Sequence, residues 1–212
     1  NFPTSLSRLI VLDIETSGLD PVSGGILEIG AVPLDPARAG ESYRCDVRLE
    51  WWMPWEAGAV AVHGIPRDEA ISHHRLNEAV ALEQLLDWID DTALGDITGR
   101  AIIAGMNPQF DLAFLRGVAA RADMLDRFRG LIAHRTLDMH SLAVAKMLSY
   151  GADPDSLNTD AIYEMPGQPP EAKPHRALEA GAALRRGEGC DRPQPRRAPR
   201  HAARRARPLR HP

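Results

Sequence analysis

The chain has 212 residues, of which 44% are hydrophobic, and its formal net charge is −4. This length suffices for one domain with a sizeable core, and the composition is ordinary for a soluble globular protein. No apolar run approaches the roughly 20 residues that span a bilayer. The first residues also lack the charged segment and apolar block of a secretory signal. We therefore expect neither a membrane-spanning segment nor secretion.

Charge is distributed unevenly along the chain. Residues 181–212 contain ten arginines and two acidic residues, a net charge of +8, so residues 1–180 carry −12. A body this acidic offers no broad basic surface to a nucleic-acid backbone, so any such binding has to be local and assisted by metal ions. Cys45 and Cys190 lie too far apart for a metal-binding or redox motif. Unpaired cysteines are typical of a reducing compartment, so we expect the cytoplasm.

The first half of the chain predicts three strands and a helix. Apolar residues dominate 8–15 and 26–34, turn-forming residues separate them at 20–25, and 42–50 alternates in polarity. Three close strands joined by short turns favour an antiparallel meander. Residues 76–92 follow with an apolar stripe at helical spacing.

The second half predicts a strand and several helices. A short buried strand at 101–105 precedes a helix at 108–122, with Asn107 as its cap and Pro108 at its first position. The remaining predicted helices are 137–148, 156–165 and the segment that begins at 174 and runs to 186. This order predicts an α/β fold with a mixed sheet, first antiparallel and then parallel, flanked by helices.

Two carboxylates occupy alternate positions of the first predicted strand. Successive side chains of a strand point to opposite faces, so Asp13 and Glu15 share one face while Leu12 and Ile14 point into the core. Two acids at the end of a buried strand repel each other and resist desolvation. The fold keeps them only with a compensating cation or partner, and a divalent metal ion is the simplest one.

Two further elements carry candidate functional residues. The helix after the strand at 101–105 presents Asp111 in its early turn, near the carboxyl end of that strand, where sites in such sheets form. His175 stands at the start of a predicted helix, and an acid, Glu179, follows four residues later.

Five segments of the chain carry motifs in a fixed order. They are Asp13-x-Glu15-Thr16-x-Gly18-Leu19, Glu28-Ile29-Gly30-Ala31-Val32, Val62-His63-Gly64-Ile65, Asn107-x-x-Phe110-Asp111-x-x-Phe114-Leu115 and His175-Arg176-Ala177-Leu178. In this order and at these separations, residues 8–179 resemble the DnaQ-like 3′–5′ exonucleases. That family is the DEDDh branch of the ribonuclease H-like superfamily, and the segment 137–143 is also similar to it.

The resemblance implies hydrolysis of the terminal phosphodiester of a single-stranded DNA or RNA 3′ end with two divalent metal ions, Mg²⁺ or Mn²⁺. By resemblance, Asp13 bridges the ions, Glu15 holds the ion on the nucleophile side, and Asp111 serves the other through water. His175 is the general base for the attacking water, a task suited to a side chain that titrates near neutrality.

The resemblance also implies a pocket for the terminal nucleotide and a biological role. The role is that of a proofreading exonuclease of the DNA polymerase III epsilon type, with a DNA polymerase subunit as partner. The alternatives are an RNA exonuclease of the RNase T or oligoribonuclease kind, and a catalytically impaired domain that binds nucleic acid or a polymerase. The implied substrate-binding residues are Thr16, Ser17, Gly18, Leu19, His63, Asn107 and Phe110.

One position departs from the family pattern. The resemblance places a fourth carboxylate, a metal-binding Asp, five residues after His175, where this chain has Ala180. Glu179 is one helical step of about 100° away, so we expect no full replacement. The composition becomes rich in Arg and Pro within a few residues, and we hypothesise a shift of reading frame after about Glu179. We assign 1–186 to the exonuclease domain and 187–212 to a basic, disordered tail.

Several other polar and aromatic residues are interpreted as structural. Glu28 and Asp138 are expected to be hydrogen-bonded or solvated within the fold. The tryptophans Trp51, Trp52 and Trp55 more often form packing contacts or a surface patch than a base-stacking platform.

Overall fold

The computed structural model describes residues 7–38 and 40–151. Its strands are β1 (Leu9–Thr16), β2 (Ile26–Pro33), β3 (Tyr43–Asp46), β4 (Ile102–Gly105) and β5 (Leu137–Asp138). They form one sheet in the order β3-β2-β1-β4-β5. The pairs β1–β2 and β2–β3 are antiparallel, and the pairs β1–β4 and β4–β5 are parallel. The predicted α/β class and mixed sheet are confirmed.

Helices connect the strands and flank the sheet. They are α1 (Ala57–His63), α2 (Arg67–Ala70), α3 (Glu78–Trp88), α4 (Pro108–Arg121), α5 (Leu125–Leu131) and α6 (Met139–Ser149). A 3₁₀ turn at Pro36–Arg38 and a π-helical turn at Ile89–Leu94, which continues α3, complete the elements. Within the described part of the chain, no helix is both long enough and apolar enough to cross a membrane.

The alternation of side chains along β1 builds the core on two faces. Ile10, Leu12 and Ile14 point to the main core, where they pack with buried residues of α3 and α4. Leu9 and Val11 lie on the opposite face in a smaller apolar cluster. Burial of each such side chain contributes roughly 1.5–3 kcal/mol, so β1 is fixed from both sides.

The third predicted strand, 42–50, is shorter in the structure and ends at Asp46. Beyond it the chain leaves the sheet, because Leu49 is buried in a separate cluster and its N–H donates to the carbonyl of Ala70 at 2.8 Å. Leu49, which continues the alternation in the sequence, thus contacts the end of α2 and does not pair in the sheet.

The predicted helix at 137–148 is wrong in its first two residues. Leu137 pairs in parallel with Ala104 of β4, and Asp138 caps α6, its Oδ1 accepting the N–H of His140 at 3.1 Å. Helices α1, α2 and α5 were not predicted, because four to seven residues are too few to show an apolar period.

Several sequence-based expectations lie outside the described residues. They are the helices at 156–165 and 174–186, the residues His175, Glu179 and Ala180, the change of reading frame, and the boundary between 1–186 and 187–212.

Candidate functional site

The candidate site lies where β1 extends beyond its parallel neighbour. The pairing of β1 with β4 ends at Val11 and Ala104, whereas β1 continues to Thr16. The two strands approach closely at this point, since a Cβ on Gly105 would lie only 2.9 Å from the carbonyl oxygen of Leu12. Beyond Val11, the edge of β1 is therefore open to the start of α4.

Asp111 in the first turn of α4 occupies this edge. Its Oδ1 accepts the backbone N–H of Ile14 at 3.0 Å, and Ile14 stands between Asp13 and Glu15 in the strand. The Asp111 carboxyl therefore hydrogen-bonds β1 at the residue between the two acids. The structure brings these three predicted site residues to one end of β1.

Burial dominates the protonation of Asp111. The residue is 4% exposed, and burial raises the pKa of its carboxyl to about 7, against the lowering effect of the hydrogen bonds from the Ile14 amide and its own amide. In the described ranges no Lys, Arg or His forms an ion pair with it. A cation placed nearby would favour the ionised carboxylate.

Asp13 and Glu15 lie on the same face of the sheet as Leu9 and Val11, away from the main core. Asp13 is half-buried and stands opposite Gly30 of β2. Glu15 is buried. The two acids share one face, as the strand alternation predicts.

Glu28 is a further acid at this end of the sheet, interpreted from the sequence as structural. It stands directly opposite Glu15 in the β1–β2 register, so both side chains are on one face. Glu28 is fully buried, and Nη2 of Arg44 donates to its Oε1 at 3.4 Å. The hairpin of β1 and β2 was predictable from the sequence, but its register was not. The register shifts between Glu15 and Thr16, so the sequence did not predict that Glu15 stands opposite Glu28.

The segment after β1 uses its hydroxyl groups within its own loop. Oγ1 of Thr16 donates to the carbonyl of Gly18 at 2.8 Å, and Oγ of Ser17 accepts the N–H of Gly25 at 3.0 Å. Leu19, by contrast, is 74% exposed. Of this predicted substrate-binding segment, Leu19 is the side chain that faces solvent.

His63, the last residue of α1, is buried below the surface. Its Nδ1 accepts the N–H of Ile65 at 2.9 Å, so Nε2 is the nitrogen that carries the ring proton. Its ring centroid lies 5.9 Å from that of Trp55 in an edge arrangement. Gly64 follows with φ of 67°, a left-handed conformation that ends the helix. These contacts fix the imidazole rigidly.

Asn107 is the N-cap of α4 and Pro108 its first residue, which confirms the prediction, but the cap works without its side chain. Its backbone is left-handed (φ 53°, ψ 54°), and its side chain makes no capping hydrogen bond. Its N–H instead donates to Oδ1 of Asp138 at 3.1 Å. Asp138 therefore links the start of α6 to the start of α4, which confirms that it is hydrogen-bonded within the fold and identifies the partner that the sequence did not give. Phe110, the other predicted contact in this segment, is half-buried against Phe114, with centroids 5.1 Å apart.

The donor groups match a hard divalent cation in their chemistry. Asp13, Glu15 and Asp111 supply carboxylate oxygens, the ligands that Mg²⁺ and Mn²⁺ prefer. Burial raises the pKa of Asp111 to about 7, and a cation bound there would lower it again. Across residues 7–38 and 40–151, no three carboxylate, imidazole or thiol side chains are arranged to hold a metal ion.

Comparison with known proteins identifies related sequences. The model of the family described as "Exonuclease" matches residues 10–179. The DNA polymerase III subunit epsilon of Rickettsia typhi is 31% identical over 151 residues, which cover 68% of this chain and 57% of that protein. The PolC-type DNA polymerase III of Thermotoga maritima is 30% identical over 173 residues, covering 82% of this chain and 11% of that protein. The chain thus spans little more than half the length of the first relative.

Solved structures share the fold. The structure of E. coli Exonuclease I in complex with a dT13 oligonucleotide has a TM-score of 0.61 at 20% identity, covering 83% of this chain and 39% of that one. Exonuclease I from Methylocaldum szegediense has a TM-score of 0.62 at 21% identity, covering 82% and 38% respectively.

Proposed function

The chain belongs to the exonuclease family, and we propose that it is a 3′–5′ exonuclease that removes terminal nucleotides from single-stranded nucleic acid. We propose that it uses two divalent ions, Mg²⁺ or Mn²⁺, and works in the cytoplasm beside a DNA polymerase. The similarity to the Rickettsia typhi epsilon subunit supports a proofreading role. Because the chain spans 57% of that subunit, the polymerase partner belongs to the proposal.

A single contact carries the proposal. The Asp111 carboxylate accepts the amide N–H of Ile14, the residue between Asp13 and Glu15. Asp111 is buried in this contact, and burial opposes the ionisation of its carboxyl, which a cation nearby would favour. A buried carboxyl with a raised pKa, hydrogen-bonded between two further acids, is typical of a functional site.

We assign the acids the roles that the family resemblance implies. Asp13 would bridge two ions, Glu15 would hold one of them, and Asp111 would hold the other through water. When bound, the ions supply an activated water and stabilise the leaving oxygen. Asp13 and Glu15 lie on a strand packed on both faces, so the chain fixes their positions before any ligand binds. His175 would take the proton from the water as general base.

Leu19 is the residue we propose to contact the terminal base. Its exposed apolar side chain begins four residues after Glu15 and is available to a nucleobase. We propose that Thr16, Ser17 and Gly18 hold the loop that presents it. The fixed ring of His63, together with Asn107 and Phe110, would complete the walls of the terminal-nucleotide pocket.

The test is digestion of a 5′-labelled single strand by the full chain. We expect stepwise shortening from the 3′ end with Mg²⁺ or Mn²⁺ and none in excess chelator. Asp13→Asn should lower the rate by at least about 100-fold, as does loss of one electrostatic contact to a transition state. Asp96→Asn is the matched control, because Asp96 is exposed ahead of the amino end of β4, opposite to the site. Equal rates for both variants would refute the assignment.

The same assay separates the substrate classes. A proofreading enzyme should digest single-stranded DNA with the higher kcat/KM, whereas an enzyme of the RNase T or oligoribonuclease kind should favour RNA of equal sequence. The measured ratio of the two kcat/KM values decides between them.

A second candidate function is that of an impaired domain that binds nucleic acid or a polymerase. Ala180 favours it, because the family pattern has a metal-binding Asp at this position. Ala180→Asp should then raise the exonuclease rate and lower the metal concentration that gives half the maximal rate. No gain in either would show that the site is complete without this carboxylate.

A further inference from the structure

Two adjacent tryptophans are exposed on the loop that follows β3. Trp51 and Trp52 are 74% and 63% exposed, and their ring centroids lie 5.8 Å apart at 90°. Tryptophan is highly buried on average, and contiguous exposed apolar surface usually marks an interaction site. The loop therefore presents two large aromatic faces to solvent.

The loop is anchored to the backbone just beyond the candidate active site. The N–H of Glu56 donates to the carbonyl of Ser17 at 2.9 Å, two residues after Glu15. On the same side, a Cβ on Gly25 would lie 2.6 Å from Sδ of Met53, so the loop packs closely on the end of the β1–β2 connection. Four residues span at most about 14 Å, which places the Trp52 backbone within that distance of Glu56.

A cation lies beside the backbone of this pair. Nη2 of Arg67 donates to the carbonyl of Trp51 at 3.4 Å, and Arg67 is exposed. Glu50 forms an ion pair with Arg48 at 3.3 Å, and Glu69 forms one with Arg75. The charges of these two acids are thus already engaged by other arginines.

We propose that Trp51, Trp52 and Arg67 form a platform on which bases of a single strand stack as the strand leads to the catalytic acids. Aromatic rings next to a basic side chain are the usual means of holding single-stranded nucleic acid without regard to sequence. The platform rests on the proposed exonuclease function, and it favours base stacking over the sequence interpretation of Trp51 and Trp52 as packing contacts or a surface patch.

Electrostatics favours stacking as the source of affinity here. Residues 1–180 carry a net charge of −12, so contacts to phosphates are few and repulsion is general. Base stacking on aromatic rings is independent of phosphate charge and contributes a factor of about 5 to 150 per base. Binding should consequently depend weakly on salt, because each phosphate contact adds only about −0.7 to the logarithmic slope.

The test measures quenching of tryptophan fluorescence in the full chain by a thymidine 10-mer and a dinucleotide, in excess chelator to prevent digestion. We expect the 10-mer to quench and to bind more tightly than the dinucleotide. The double variant Trp51→Ala/Trp52→Ala, followed by fluorescence anisotropy of a labelled 10-mer, should bind it at least about 5-fold more weakly. Tyr150→Ala removes another exposed aromatic residue, at the end of α6, and should leave affinity unchanged.

Equal affinity of the 10-mer for the parent and the double variant would overturn the platform. So would a parent protein that binds no 10-mer, with the tryptophans then serving a protein partner. Hydrolysis of a p-nitrophenyl ester of thymidine 5′-phosphate by the parent, with metal present, tests the exonuclease chemistry separately, because this ester occupies only the terminal-nucleotide pocket. A parent that hydrolyses the ester while the double variant retains full affinity keeps the proposed function and refutes the platform.

Discussion

Asp111→Asn replaces a buried ionisable carboxyl with a neutral group of the same shape. In the folded chain the pKa of Asp111 is raised to about 7 by burial, against 3.8 for the free group. A raised carboxyl pKa means that the folded state binds more protons than the unfolded state between these two values. The free energy of unfolding therefore falls as pH rises from about 4 to 7 and is constant above that.

The size of this loss follows from the two pKa values. A difference of about three pH units at 1.36 kcal/mol each gives a loss of about 4 kcal/mol for the metal-free parent. The asparagine in Asp111→Asn cannot ionise, so the variant does not lose this free energy of unfolding as the pH rises. The free energy of unfolding of the variant minus that of the parent should therefore rise by about 4 kcal/mol between pH 4 and pH 8. Any effect of the amide itself is the same at every pH and does not change this rise.

Urea unfolding followed by tryptophan fluorescence in excess chelator measures this gain at a series of pH values. Addition of Mg²⁺ at pH 8 should then stabilise the parent, because a cation restores the ionised carboxylate, and should stabilise Asp111→Asn much less. The exposed-site variant Asp96→Asn should follow the parent at every pH. Parallel curves for the parent and Asp111→Asn across this range would show that the pKa of Asp111 is not raised by burial.

Two other substitutions test how the site is positioned. Asp138→Ala removes the acceptor for the N–H groups of Asn107 and His140. It should lower the free energy of unfolding in urea by about 1–2 kcal/mol. It should also lower kcat, since Asp111 follows Asn107 in α4. Gly105→Ala adds a Cβ 2.9 Å from the Leu12 carbonyl oxygen. It should lower the free energy of unfolding in urea by about 1–3 kcal/mol. An unchanged urea midpoint would contradict the close approach of β4 to β1.

The sheet was largely predictable because its strands carry strong local patterns. The run from Leu9 to Thr16 places side chains on two faces, and 26–34 is apolar except at Glu28, which matches a strand buried on both sides. Prediction failed where a tertiary contact decided the conformation. Leu49 continues an alternation in sequence, yet its amide bonds to Ala70 outside the sheet.

The candidate site was predictable in composition but not in arrangement. The motif around Asp13 and the motif around Asp111 are separated by nearly a hundred residues, and only the early end of β4 lets Asp111 reach the Ile14 amide. Glu28 and Asp138 stood in recognisable motifs, but their partners were not predictable, because they depend on strand register and on a contact with the left-handed Asn107.

The release of 3′-terminal nucleotides tests the central claim most directly. A single strand labelled in its 3′-terminal nucleotide is incubated with the full chain and Mg²⁺ or Mn²⁺, and the product is identified by size. We predict a labelled mononucleotide as the first product, formed only with metal and far more slowly by Asp13→Asn. A labelled oligonucleotide as first product, or equal release by the parent and Asp13→Asn, would contradict it.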